Sequence, residues 1–133
     1  MLMQALGHFD LRLDPQAAGA VAHAPFSRVL LLKRFHGDLV ARSRGELLTF
    51  RTPVQGSSGF VALEQVDGLL GGREGSFVLR HSGTLVRGAS QVAVSVLPDS
   101  GTGSLVGLHG DMHIGIEHGL HAYRFEYAFR EAA

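Results

Sequence analysis

The chain contains no cysteine and no tryptophan, few prolines, and no excess of charge of either sign. Without cysteine there are no disulfides, no thiolate zinc sites and no thiol nucleophile, and a reducing, cytoplasmic location is the expectation. Twelve Lys+Arg against twelve Asp+Glu give a formal net charge of zero, so the electrostatic footprint of a nucleic-acid partner or an anionic membrane is missing. Zero net charge also favours self-association, and a homodimer is the expected assembly. Long hydrophobic runs are absent too. The longest stretch free of Asp, Glu, Lys and Arg, Pro15 to Ser27, contains Pro, Gly, Gln and His and does not read as a membrane span. Asp10, Arg12 and Asp14 fall where the apolar region of a signal peptide would have to be.

What is abundant is glycine: 18 residues in a chain of 133 that is 45% hydrophobic. Disordered glycine-rich chains are less apolar than this, so the glycines are read as punctuation between short ordered segments of one domain spanning residues 1–133. Apolar residues recur mainly at period 2, which predicts strands nearly throughout. Eight emerge, over about Ala5–Leu13, Arg28–Phe35, Leu39–Arg51, Phe60–Leu70, Ser76–Leu85, Gln91–Leu97, Met112–Glu117 and Leu120–Phe129. Gly37-Asp38, the run from Gly71 to Gly75, Gly88 and His118-Gly119 mark tight turns, Val54–Gly59 a loop, and Asp99–Gly110 a glycine-rich connection. Evenly spaced strands joined this way form an antiparallel meander, and closure removes its two exposed edges. The expected fold is all-β, a closed eight-stranded antiparallel barrel; a two-sheet sandwich is the alternative.

Two blocks then resemble a known family. Gly59-Phe60-Val61-Ala62-Leu63-Glu64-Gln65-Val66-Asp67-Gly68 with Gly75-Ser76-Phe77-Val78-Leu79-Arg80-His81-Ser82-Gly83 is similar to the bacterial DUF3224 family. So is the run Ser100–Gly110 followed by His121-Ala122-Tyr123-Arg124-Phe125-Glu126-Tyr127, and the turn Phe35-His36-Gly37-Asp38-Leu39 also fits. The resemblance implies a barrel of the allene oxide cyclase type, shared with dirigent proteins. It supplies no function, because a shared barrel licenses only analogy.

The residues themselves offer a short list. Phe60, Ala62, Glu64 and Val66 share one strand face, as do Phe77, Leu79 and His81, so an acid and an imidazole stand on apolar faces of neighbouring strands. Counted from a turn centred on Gly72-Arg73, Glu64 and His81 are equally distant and predicted to be cross-strand neighbours. Such a pair suits acid/base work or polar anchoring of a ligand, or else a buried bond that fixes register. Tyr123, Phe125, Tyr127 and Phe129 form a stripe that reads mainly as core, with the two hydroxyls able to face a lumen ligand. His109, His113, His118 and His121 lack metal-ligand spacing, so no metal is expected. The glycine runs form no phosphate loop and the serines no nucleophile elbow, so no cofactor is expected either. Three functions remain in view. They are a binding module whose lumen takes one small, mainly apolar ligand at Glu64, His81, Tyr123 and Tyr127; a cyclase- or isomerase-like enzyme steering such a molecule; and a filled barrel serving as an oligomeric structural unit. The residues name no reaction.

Overall fold

The structure, a computed structural model, describes residues 1–16 and 26–131. Eight strands run in order: β1 (Met3–Pro15), β2 (Phe26–Gly37), β3 (Leu39–Arg51), β4 (Ser58–Leu70), β5 (Arg73–Val86), β6 (Ala89–Val96), β7 (Leu108–Glu117) and β8 (Leu120–Phe129). Each pairs antiparallel with its sequence neighbour, and β1 also pairs with β8, closing the barrel that the period-2 pattern predicts. The sandwich alternative is thereby excluded.

Several strands begin earlier than the sequence suggests. β4 starts at Ser58, inside the expected loop, and β7 starts at Leu108, inside the expected glycine-rich connection. The β4–β5 connection shrinks from five residues to two. Gly71 and Gly72 both adopt positive φ (56° and 83°), the conformation of a tight primed turn, so Leu70 pairs directly with Arg73. The turn centre therefore lies between Gly71 and Gly72. That one-residue correction shifts every β4–β5 pairing by two positions and keeps the faces unchanged, with consequences for the site.

The two ends of the barrel differ. At one end lie the Gly37-Asp38 and Gly71-Gly72 turns, tied by the Gly71 N–H to the Asp38 carbonyl (3.0 Å). The β6–β7 connection folds over this end with a 3-10 turn at Gly103–Leu105, whose Leu105 is buried in the core. Beneath it the interior is filled: Phe77 stacks on Phe125 (centroids 5.8 Å apart), Phe125 on Tyr127 (5.2 Å), and Phe35 meets Tyr123 edge-on (5.6 Å). Aromatic pairs in such geometries contribute about 0.5–1.5 kcal/mol each beyond their area burial.

At the other end the inward-facing side chains change character. Leu13, Val92 and Ile116 are 47%, 52% and 72% exposed, although each lies on the lumen face of its strand. Leu11, Val29, Leu47 and Phe60 on the same face are half-buried. β6 and β7 contribute to this opening, because they share a single paired position, Ser95 with Asp111, and separate beyond it. The lumen thus opens as an apolar mouth.

Candidate functional site

Between the filled end and the mouth lies a layer of charge. Glu64 is 0% exposed, and around its carboxylate stand Lys33, Ser43 and His81, each buried to 7% exposure or less. Lys33 Nζ donates to Oε1 at 3.2 Å, His81 Nε2 meets the same oxygen at 2.7 Å, and the Ser43 hydroxyl donates to Oε2. The strands dictate this convergence. Lys33 shares the inward parity of Leu31 and Phe35, Ser43 that of Ala41, and His81 that of Leu79.

Glu64 and His81 are not directly opposite, as counting from the sequence suggested. Glu64 faces Leu79 and His81 faces Ala62, so the acid and the imidazole are diagonal neighbours on one face, which long side chains can still bridge. On the other side of β4, Gly45 pairs with Glu64. A Cβ at Gly45 would lie 2.3 Å from the Leu63 carbonyl oxygen, so only glycine lets β3 approach the acid so closely.

Burial alone would raise the Glu64 pKa. The His81 hydrogen bond, the Lys33 charge and the Ser43 hydroxyl together outweigh it and hold the group below its ordinary value of 4.5. The carboxylate is therefore anionic at neutral pH and can only accept, which puts a proton on His81 Nε2. The ammonium of Lys33 is further stabilised by the Phe9 ring, 4.7 Å from the nitrogen, and by Phe35 at 5.7 Å. A folded-state pKa below the unfolded one means stability that is present above about pH 4.5 and lost as pH falls through the folded value. The urea midpoint is expected to drop on acidification below pH 4.5, and a Lys33→Met/Glu64→Leu double variant should lack that limb.

No buried side-chain nitrogen or oxygen among the described residues lacks a partner. The His81 ring bonds through Nε2 only, and Nδ1, without a hydrogen bond, is not fully enclosed. The residue lies on the lumen face of β5, with Gly83 the next inward position toward the mouth.

The two tyrosines lie elsewhere. The Tyr123 hydroxyl donates to the His36 carbonyl (2.8 Å) and accepts from the Leu39 N–H (2.9 Å), bracing the β2–β3 turn. Burial, offset in part by the Leu39 N–H and reinforced by the Asp38 charge, raises its pKa, so it stays a donor. Tyr127 packs between Phe125 and Phe129 at the filled end, its hydroxyl beside Gly71. Of the four histidines weighed for metal, His121 stacks on Phe9 (5.2 Å) and His113 pairs with Glu126 on the surface (3.2 Å). Among the described residues no group of three or more potential ligands converges.

A groove of about 750 Å³ is lined by lumen-face Phe60 and Val92 together with outward-facing Leu48, Val61 and Ser82. Another of about 1340 Å³ is lined by lumen-face Leu31, Leu47, Glu64 and His81 together with outward-facing residues of β2 to β5; no residue of β1, β7 or β8 lines either.

Lys33 and Ser43 escaped the sequence reading although the signal that singled out Glu64 applied to them. Each is a polar residue on an otherwise apolar parity. Lys33 carries a second signal, being the chain's sole lysine among twelve basic residues.

A closed antiparallel barrel, packed with aromatics at one end and carrying a buried ion-pair layer beneath an apolar mouth, is the class of molecule that fold and site define. Within that class the chain belongs to the DUF3224 family, described as proteins of unknown function, whose model matches residues 5–127. The crystal structure of a DUF3224 protein of unknown function from Shewanella oneidensis MR-1 is similar over 98% of this chain and 100% of that one. The two share 44% identity and superpose with a TM-score of 0.90. No curated protein matches the chain. No helix among the described residues is long and apolar enough to cross a membrane.

Proposed function

We propose that the protein is a cytoplasmic binding module that takes one small, mainly apolar molecule through the mouth and anchors it at the Glu64–His81–Lys33 layer. The observation that carries this reading is the exposure of inward-facing apolar residues directly above a buried charged cluster. Exposed apolar side chains on a concave wall, ending at a few fixed polar groups, are the ordinary composition of a small-molecule site. Tyr123 and Tyr127 then act through packing and turn support rather than contact.

The test uses the fluorescent apolar dye N-phenyl-1-naphthylamine, read without interference because the chain has no tryptophan. Binding should enhance emission. Val92→Glu and Ile114→Glu, on half-exposed lumen positions, are expected to weaken it at least about tenfold, roughly 1.4 kcal/mol, with the thermal midpoint nearly unchanged. Equal affinity in all three proteins overturns a lumen site.

An enzymatic reading is favoured by one observation, the imidazole pinned by a buried carboxylate, which is how acid/base histidines are oriented. On that reading the same mouth admits the substrate and His81 moves its proton.

A further inference from the structure

The ligand's polar group follows from which atom of the charged layer is free. Glu64 spends both oxygens on Lys33, His81 and Ser43. The Lys33 ammonium lies between that carboxylate and the faces of Phe9 and Phe35. Lys33 Nζ and Ser43 Oγ each bond Glu64, whereas His81 Nδ1 bonds nothing, and in the uncharged ring, with Nε2–H committed to the carboxylate, Nδ1 is a lone-pair acceptor. Its fixed partner prevents the opposite tautomer, because a carboxylate offers nothing for Nε2 to accept.

We infer that the site selects a small apolar molecule bearing one hydroxyl donor, a phenol or alcohol, whose O–H is given to His81 Nδ1. This rests on the binding reading above and goes beyond it by assigning the ligand's chemical class. A hydroxyl finds an acceptor waiting. An ether of the same shape brings only an acceptor and leaves the pairing unmade. A carboxylate brings negative charge into an apolar mouth whose nearest cation, Lys33, is already neutralised by Glu64. Sites that pair a substrate hydroxyl discriminate strongly against analogues lacking it, while apolar bulk by itself discriminates weakly.

The experiment is displacement of N-phenyl-1-naphthylamine at pH 8 by 4-propylphenol, 4-propylanisole and 4-propylbenzoate, in the wild type and in His81→Phe. The phenol should displace the dye at least about tenfold more effectively than the anisole or the benzoate. The phenol-to-anisole ratio should collapse to about one in His81→Phe. Should that variant fail to fold, nitrogen-15 histidine spectra of the wild-type protein serve instead. The Nδ1 resonance of His81 should move with the phenol and stay in place with the anisole.

Equal affinity for phenol and anisole, preference for the benzoate, or an unmoved Nδ1 resonance overturns the inference while leaving a bound dye, and hence the binding reading, intact. Failure of the dye and all three compounds to bind overturns both.

Discussion

Replacing Glu64 with alanine is expected to destabilise the protein by about 3–5 kcal/mol, the usual cost of removing one member of a buried ion pair. The loss is asymmetric. Alanine leaves the Lys33 ammonium, only 4% exposed at its side chain, with two aromatic faces and no counterion. It also removes the shared partner of His81 and Ser43. Desolvation of an unpaired cation dominates this sum, so removing the cation as well should recover most of it. The Lys33→Met/Glu64→Leu double variant, two apolar groups of comparable length, is expected to lie within about 1–2 kcal/mol of the wild type or above it. Urea unfolding of the two single variants and the double measures the coupling directly. Additive losses would mean that the layer is not an interacting unit.

Tyr123→Phe is expected to cost about 1–3 kcal/mol, because it strands the Leu39 N–H and the His36 carbonyl. Leu39 is 1% exposed, so water cannot replace the missing hydroxyl at that amide. The damage should be local to the β2–β3 turn, visible as faster amide exchange at Leu39 beside a lowered urea midpoint. Dye binding at the opposite end of the barrel should be unaffected. An unchanged midpoint would show that the hydroxyl does not brace the turn.

Much of the fold was legible because side-chain alternation encodes which face of a strand is buried, and closure follows from having eight such strands with no capped edge. The inward faces of β4, β5 and β8 match the parities read from Glu64, His81 and the Tyr123–Phe129 stripe. Register was less legible. Two adjacent glycines can turn the chain in two residues or in five, and sequence does not state which, so Glu64 was set opposite His81 rather than Leu79.

Asymmetry along the barrel axis was invisible for a different reason. Period-2 alternation reports inside against outside and carries nothing about position along the strand. The packed end at Leu105 and Phe125 and the open one at Val92 and Ile116 therefore looked alike. The charged layer was half seen, since Glu64 drew attention as an acid among apolar neighbours. Lys33 sits beside Arg34, and a basic pair is usually taken as solvated, although only Arg34 faces outward.

The solitary lysine gives the molecule an internal clock. Amine-reactive reagents find one side-chain target in this sequence, the ε-amino group of Lys33, which is shut inside the barrel wall. That nitrogen waits for the staves to part, so its labelling rate relative to a lysine in a free peptide reads the free energy of opening, residue-specifically and in native conditions. Because the reporting nitrogen is also the counterion of Glu64, a molecule that seats at the charged layer and holds the wall shut would slow that clock in proportion to its occupancy.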